Sequence, residues 1–450
     1  MSFVRILESL SEVFFSEYRL RISPALLIRA NPGRCPGLLT APLWSAENAG
    51  DVINVYLILS LTLTIFIVMF IEFLHEYTGI YLFNSRLFST SVAMVISFLL
   101  AIGLFPAYIK FLRKFQFSSE LEKENCGPVM PAGILFLIIV IISTLISVRI
   151  NSYVISALVI YCFFSIIGAA DDVAKVVNRG RVARGEISKQ DYQYKADGIS
   201  SSLRLTLYIA ISLAVAMFAY KYIPKINGDI VLPFMSIDKG YPSMPFWLFI
   251  PFMTMTIAIL ANGVNFTDGF DTLAAVPSIC CLLFLGIISF VSSNSVWSNY
   301  LLIPFIPGLE EILPLIGAVI GTLLAYLWFN SPPSTIIMGD SGSVGLGGLI
   351  GILFVFSKSG LFLPIVAFIF LLEFVSVFTQ MGWFKITKLT TGQGKRLFLM
   401  APIHHHFQIL MRKSGRYGGE FQIRSKIAWR FHILSVVLLI VGLVSFLKIR

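Results

Sequence analysis

The sequence predicts an all-α protein, a polytopic membrane helix bundle of about ten transmembrane helices. Of its 450 residues, 57% are hydrophobic and only 13% are charged, and the mean hydropathy is +0.84. These values lie outside the range of soluble globular domains. In addition, apolar runs recur along the chain at lengths near the roughly 20 residues that a transmembrane helix needs.

The apolar runs that we predict to span the membrane are distributed over most of the chain. They are 88–112, 130–148, 153–170, 203–222, 246–263, 272–292, 312–329, 344–357, 361–384 and 428–447. An earlier run, 52–74, fits either a transmembrane helix or a helix in the membrane interface, because Glu72 and His75 mark its end. We therefore divide the chain into an N-terminal extension, 1–74, with a possible membrane helix, and a polytopic domain, 75–450.

The distribution of charge indicates how the helices are oriented. Lys and Arg number 34 against 24 Asp and Glu. The basic residues concentrate in three connections, 113–129, 171–204 and 385–427, and are absent from 293–311. The positive-inside rule places the basic connections in the cytoplasm, and alternation adds 264–271 and 330–343 to that face. The positive excess is then explained by topology and by contact with membrane lipid, with no nucleic-acid partner.

The cysteine pattern argues against a disulfide framework and a zinc site, and the N-terminal sequence argues against a cleaved signal peptide. The five cysteines form no CxxC pair, so neither a disulfide framework nor a zinc site follows. Residues 1–51 do not show the order of segments that a cleaved signal peptide requires, and we expect none.

The first unusual polar cluster is IIGAADDVAKVV, residues 166–177. Two adjacent carboxylates beside an apolar span are costly near lipid. Asp171 and Asp172 point about 100° apart on a helix, so they can serve different partners. Lys175, four residues after Asp171, can pair with it. The alternative is a solvated helix end with a basic stop signal.

The second cluster is NGVNFTDGFDTLA, residues 262–274. Asp268 and Asp271 are three residues apart with a glycine between them, which lets the backbone turn closely around a ligand. Asn262 and Asn265 need amide partners, which a substrate can supply. The alternative is a plain loop in which Asp271 caps the next helix.

The third cluster is NSPPSTIIMGDSGSVGLGG, residues 330–348. It begins at Asn330 and brings the carboxylate of Asp340 and several free backbone N–H groups to a helix start. Hard cations prefer oxygen ligands and helix N-termini favour anions, so this stretch suits Mg²⁺ and a diphosphate. An ordinary helix after a proline turn is the alternative.

The fourth cluster is the loop GKRLFLMAPIHHHF, residues 394–407, which holds three of the five histidines. Neighbouring residues on one backbone cannot easily all reach one ion, which argues against a zinc site. Its side chains, Lys395, Arg396, His404, His405 and His406, favour recognition of phosphate or sugar. Three carboxylate-bearing segments and this basic one on the same face predict Mg²⁺-dependent phosphoryl chemistry on a lipid.

These motifs carry a resemblance to a known family. DDVAK, NFTDGFDTLA, MGDSGSVGLGG and GKRLFLMAPIHHHF resemble the phospho-N-acetylmuramoyl-pentapeptide transferases, within the polyprenyl-phosphate N-acetylhexosamine-1-phosphate transferase superfamily. The likeness runs from about residue 75 to the C-terminus and is most specific at the histidine motif.

The resemblance implies a bacterial plasma-membrane enzyme of ten transmembrane helices, with its site open to the cytoplasm and often a homodimer. It implies transfer of phospho-MurNAc-pentapeptide from UDP-MurNAc-pentapeptide to undecaprenyl phosphate, with release of UMP. A one-step attack and a two-step route through an aspartyl-phosphate both remain open. The rival is a GlcNAc-1-phosphate transferase of the same superfamily. A membrane transporter is a third interpretation, which the absence of internal repeats disfavours.

By motif, the resemblance also implies roles for individual residues. Asp171 and Asp172 match a pair that deprotonates or orients the lipid phosphate, and Asp340 matches the Mg²⁺ ligand. The nucleotide-site loop corresponds to Asn265, Asp268 and Asp271, and the essential histidine stretch to His404, His405 and His406. We take Asp171, Asp172, Asp340 and His404 as catalytic candidates. The substrate-binding candidates are Lys175, Asn265, Asp268, Asp271, Asn330, Lys395, Arg396, His405 and His406.

Several positions depart from the family pattern. Asn125 stands where the family usually has a lysine, and Lys123 is a possible substitute for it. Ile337 stands directly before MGD, where the family usually has phenylalanine. Loss of a stacking partner for uracil at that position costs on the order of 1 kcal/mol. The acid that commonly follows the histidines is Gln408.

Overall fold

The computed structural model describes residues 85–115, 117, 127–183, 198, 200–223, 225–233 and 241–447. The extension 1–74, its apolar run 52–74, and the departures at Lys123 and Asn125 lie outside the described residues. The predictions made for them therefore stay predictions.

The described part of the chain is helical, which confirms the all-α prediction. The helices are α1 Arg86–Lys114, α2 Gly133–Ser147, α3 Ser152–Ala183, α4 Ser201–Tyr222, α5 Phe246–Thr267, α6 Ala275–Ser293, α7 Ser295–Leu301, α8 Leu313–Asn330, α9 Gly339–Phe356, α10 Leu363–Val366, α11 Phe368–Thr391, α12 Ile403–Lys413 and α13 Glu420–Leu447. Extended pairing within these residues is limited to two isolated bridges, Val129 with Ile336 and Asp229 with Ser243.

The apolar helices agree with the predicted spans. Nine of the described helices are long and apolar enough to cross a membrane, and α2 is a shorter apolar helix. One predicted span, 361–384, is wrong in detail because α10 ends at Val366 and α11 begins at Phe368. Pro364 is the second residue of the short helix, and Ala367 between the two helices leaves helical geometry, with φ −100° and ψ 23°. A broken element therefore replaces the continuous helix that hydropathy predicts.

Helix α9 is the centre of the bundle, because every one of its residues except Asp340 is buried. Its glycines allow neighbouring helices to approach at backbone distance. A Cβ atom at Gly347 would lie 2.4 Å from the carbonyl oxygen of Leu260 in α5, and one at Gly133 in α2 would lie 2.0 Å from the nitrogen of Gly342. This close packing brings α2 and α5 against the end of α9 that carries Asp340.

Candidate active site

The paired aspartates lie within a helix and not at its end. The predicted span stops at residue 170, but α3 continues to Ala183. The side chains of Asp171 and Asp172 are both 0% exposed. The alternative of a solvated helix end is therefore wrong, and two buried carboxylates need partners within the protein.

Asp171 shares two cations with Asp340 of α9. Lys175 Nζ lies 2.8 Å from Asp171 Oδ2 and 2.9 Å from Asp340 Oδ2. Arg204 Nη1, from α4, lies 2.9 Å and 2.7 Å from the same two oxygens. The expected pair between Asp171 and Lys175, four residues apart, is confirmed. Arg204 was missed as a site residue, and its only signal is its place in the basic segment before an apolar span.

Asp172 has a different partner, as the 100° separation predicts. Its Oδ1 accepts from the backbone nitrogen of Asp340 at 3.0 Å, and its Oδ2 accepts from that of Ser341 at 2.9 Å. The N-terminus of α9 does bind an anion, as expected of a helix start. That anion is the Asp172 carboxylate, so these two donors are not free for the diphosphate that we expected there.

The asparagine amides of α5 also have partners inside the protein. Asn265 Nδ2 donates to Asp340 Oδ1 and to Ser343 Oγ, each at 3.0 Å. Asn262 Nδ2 donates to the carbonyl oxygen of Ala258 at 2.8 Å. The expectation that a substrate supplies partners is therefore wrong for these amide nitrogens. Asn265 holds the Asp340 carboxylate in the cluster.

The loop after α5 carries Asp268 and Asp271 against the histidine helix. A Cβ atom at Gly269 would lie 2.3 Å from His404 Nε2. Burial, together with the charges of Asp340 and Asp172, raises the pKa of Asp268 well above its usual range. Asp271 does not cap α6, because that helix follows Ala274 and has no side-chain cap. The capping alternative is therefore wrong.

The side chain of Asn330 holds this loop by a hydrogen bond to the backbone of the loop. Asn330 Oδ1 accepts from the nitrogen of Thr272 at 2.7 Å, and its Nδ2 donates to the carbonyl oxygen of Ile336 at 2.8 Å. Thr272 has a φ of 63°, which non-glycine residues adopt rarely. His432 Nε2, from α13, lies 3.1 Å from the Thr272 carbonyl oxygen. Both ends of the Asn330 amide are therefore bound to backbone, and its predicted contact with substrate stays a prediction.

The histidine stretch forms the start of α12, where a loop was expected. His404 is 1% exposed, and its Nδ1 lies 3.1 Å from Oε1 of Glu373, which is 0% exposed. Neither carboxylate oxygen of Glu373 and neither ring nitrogen of His404 has a hydrogen-bond partner among the described residues. Glu373 was missed in the sequence, although a carboxylate inside the apolar run 361–384 is itself a signal of function.

The other two histidines have separate partners. His406 Nδ1 accepts from the nitrogen of Leu399 at 3.1 Å, and His405 Nδ1 lies 2.9 Å from Gln408 Oε1. The rings of His404 and His405 lie side by side, with their centroids 4.2 Å apart. Lys395 and Arg396 have exposed side chains, and neither contacts the carboxylate cluster in the described structure.

The carboxylate cluster fits a hard cation by its chemistry. Among the described residues there is no group of three or more His, Cys, Asp or Glu side chains that could hold a metal ion by itself. Oδ2 of Asp171 and Oδ2 of Asp340 nevertheless lie close enough to share a cation, since Lys175 Nζ and Arg204 Nη1 each contact both oxygens. Mg²⁺ commonly binds one or two carboxylates and takes substrate phosphate and water as its other ligands. The residues present therefore fit such a site.

Comparison with known proteins adds independent information. A model of glycosyl transferase family 4 matches residues 154–358. The chain is 34% identical over 368 residues to the phospho-N-acetylmuramoyl-pentapeptide-transferase of a Nitratiruptor species, covering 80% of the chain and 94% of that relative. For the protein of the same name from Nautilia profundicola, the identity is 34% over 374 residues, covering 81% and 98%. For that of Pelodictyon phaeoclathratiforme, it is 33% over 399 residues, covering 86% and 99%.

Proposed function

Because the chain belongs to the phospho-N-acetylmuramoyl-pentapeptide transferase family, we propose that it moves phospho-MurNAc-pentapeptide from UDP-MurNAc-pentapeptide to undecaprenyl phosphate. UMP leaves, and the product is the first lipid-linked precursor of peptidoglycan. The chain is a multi-pass membrane protein and a phosphotransferase. The observation that carries the proposal is the convergence of Asp171, Asp172 and Asp340 with Lys175 and Arg204.

The two cations are suited to bind phosphate. Lys175 and Arg204 lie between carboxylates, and phosphate oxygens can replace those carboxylates as their partners. Hydrogen bonds between charged groups are roughly twice as strong as those between neutral groups. We therefore assign Lys175 and Arg204 to the phosphates of the UDP-sugar or of the lipid.

The carboxylates divide into two roles. Asp172 is bound to the backbone at the start of α9, so it fixes the relative position of α3 and α9. Asp171 pairs with the side-chain cations of Lys175 and Arg204. Because these cations can exchange the Asp171 carboxylate for phosphate, Asp171 is better placed than Asp172 to meet the incoming lipid phosphate. In the reaction, an oxygen of the lipid phosphate attacks the β-phosphorus of the UDP-sugar, and the bond to UMP breaks. Attack in one step and attack through an aspartyl-phosphate are both compatible with this arrangement.

A Mg²⁺ ion belongs to this proposal as a cofactor. Asp340 is the ligand that we assign, with Asp171 beside it. When bound, the ion would neutralise charge on the diphosphate and on the departing UMP. Lys175 and Arg204 would then turn from the carboxylates toward phosphate oxygens.

The orientation of the site is a further part of the proposal. The end of α1 carries Arg113 and Lys114 in its last turn, and the basic segment 171–204 includes the cations of the site. By the positive-inside rule, the carboxylate cluster opens to the cytoplasm of a bacterial cell. A homodimer, which the family resemblance implies, stays a prediction.

Release of UMP tests the proposed function directly. Purified full-length protein in detergent or lipid is incubated with UDP-MurNAc-pentapeptide, undecaprenyl phosphate and Mg²⁺. We expect UMP and a lipid-linked product, both of which disappear when Mg²⁺ is chelated. Release from UDP-GlcNAc alone would favour the GlcNAc-1-phosphate transferase, and release from neither donor would contradict both assignments.

A further inference from the structure

The middle histidine of α12 belongs to a chain of three side chains. His405 Nδ1 lies 2.9 Å from Gln408 Oε1, and Gln408 Nε2 donates to Glu420 Oε2 at 2.7 Å. Gln408 is 6% exposed, so its amide has little access to water. Arg412 also pairs with Glu420, through the other carboxylate oxygen. This chain connects the start of α13 to the histidine helix.

The order of donors in this chain determines the state of the His405 ring. The Glu420 carboxylate only accepts hydrogen bonds, so the NH₂ group of Gln408 must face it. The amide oxygen of Gln408 therefore faces His405 Nδ1, and that nitrogen must carry the proton. Burial and the neighbouring His404 lower the pKa of His405, so the ring is neutral near neutral pH. A neutral ring has one N–H, and its Nε2 is then an acceptor.

The His405 ring lies beside the acidic loop of the site. Phe270, between Asp268 and Asp271 in that loop, contacts His404 and His405 edge to face, with ring centroids 4.7 Å and 5.3 Å apart. Among the described residues, the hydrogen bond of the His405 ring is the one that Nδ1 makes with Gln408. The ring therefore has one nitrogen fixed by the protein and one left for a ligand.

We propose that Glu420 and Gln408 are positioning residues that hold His405 as the Nδ1–H tautomer, so that its Nε2 accepts a hydrogen bond from a hydroxyl or amide group of the bound UDP-sugar. The assignment of the ligand rests on the proposed function. The assignment of the tautomer does not, because it follows from the hydrogen bonds within the protein.

Nuclear magnetic resonance of the imidazole nitrogens tests the tautomer without any assay of activity. Full-length protein labelled with ¹⁵N-histidine is placed in lipid bilayers, and the His405 signals are assigned by their loss in His405→Asn. We expect Nδ1 to be protonated and Nε2 to be unprotonated. In Gln408→Leu, the Nδ1–H form should decline in favour of the Nε2–H form, which free imidazole side chains prefer. A wild-type ring protonated at Nε2, or a tautomer unchanged in Gln408→Leu, would overturn the proposal.

Kinetics test the contact with the ligand. Removal of the hydrogen-bond partner of a metal-bound histidine commonly costs about 10–100-fold in metal affinity or activity, and we expect the same scale for a histidine that binds substrate. We expect Gln408→Leu to lower kcat/KM for UDP-MurNAc-pentapeptide about tenfold or more. Gln408→Glu should lower it less, because a carboxylate still accepts from Nδ1–H although it no longer donates to Glu420. The matched control is Gln393→Leu, at an exposed side chain with no described hydrogen bond, and it should be neutral.

The pH dependence of the rate provides a second readout, which would not change if Gln408 had only a structural role. The new carboxylate in Gln408→Glu favours the protonated ring, so the pKa of His405 rises and activity is lost at a higher pH on the acid side. Glu373 of α11 and Arg424 of α13 act on the same ring in opposite directions, and His404 adds to the effect of Arg424. An acid limb that does not move in Gln408→Glu, with wild-type rates in Gln408→Leu, would contradict the contact. Absence of UMP release by the wild type would contradict the proposed function while leaving the tautomer result intact.

Discussion

Asp171 and Asp340 lie on different helices and bind the same two cationic nitrogens, at distances between 2.7 and 2.9 Å. Two carboxylates that share cations in this way would repel each other if the cations were removed. The arrangement is therefore held by charge balance, and exchange of one partner for phosphate changes the whole cluster.

Asp340→Ala should abolish turnover. The substitution removes the assigned metal ligand and a partner of Lys175, Arg204 and Asn265 at once. We expect a loss of at least about 10²–10³-fold in UMP release, the range found when one hydrogen-bond donor that stabilises the transition state is removed. Asp340→Asn keeps the shape of the side chain and should be nearly as inactive. A near-normal rate in either variant would disprove the assignment of Asp340 to the metal.

Arg204→Gln should reduce kcat/KM about 100-fold, because the remaining amide cannot balance the charge of Asp171 and Asp340. Arg204→Lys should recover part of the activity, since an ammonium group can reach one of the two oxygens but lacks the planar fork of guanidinium. Arg416→Gln, at an exposed arginine, is the control for loss of one positive charge. Equal rates for wild type and Arg204→Gln would exclude Arg204 from the site.

Gly269→Ala should inactivate the enzyme. The added Cβ atom would lie 2.3 Å from Nε2 of the buried His404 ring, so the ring or the loop must shift. We expect a loss of at least tenfold in kcat, measured by UMP release. The matched variant is Gly382→Ala in α11, where a Cβ atom meets nothing within 4 Å. That variant should keep its activity and gain up to about 1 kcal/mol of helix stability. Similar rates in the two alanine variants would contradict close packing of the loop on His404.

Asn330→Leu should weaken the loop that carries Asp268 and Asp271. It leaves the nitrogen of Thr272 and the carbonyl oxygen of Ile336 without their partners. An unsatisfied buried group costs about 1–3 kcal/mol, so the melting temperature in detergent should fall and the KM for the UDP-sugar should rise. Asn330→Asp keeps the acceptor for Thr272 and should have the smaller effect on KM. If Asn330→Leu changes neither the melting temperature nor the KM, the hydrogen bond from Thr272 to Asn330 is not needed to position the loop.

Periodicity and hydropathy predicted the helices and the local pairs of this protein. The apolar runs located the described spans, the spacing of four residues predicted the pair between Asp171 and Lys175, and the 100° step predicted separate partners for Asp171 and Asp172. Such features depend on residues close together in sequence. The motifs also identified the family, because their residue sequences are specific to it.

Packing between distant helices decided the rest. Four contacts join segments that are far apart in the chain. They are the hydrogen bonds of Asp172 to the start of α9, the salt bridge of Arg204 with Asp340, the contact of Glu373 with His404 and the hydrogen bond of Asn330 to Thr272. Their positions depend on how closely helices approach, which the glycines of α9 set through backbone contacts. A sequence shows which face of a helix carries a side chain, but only the tertiary structure determines which donor from another helix lies opposite it.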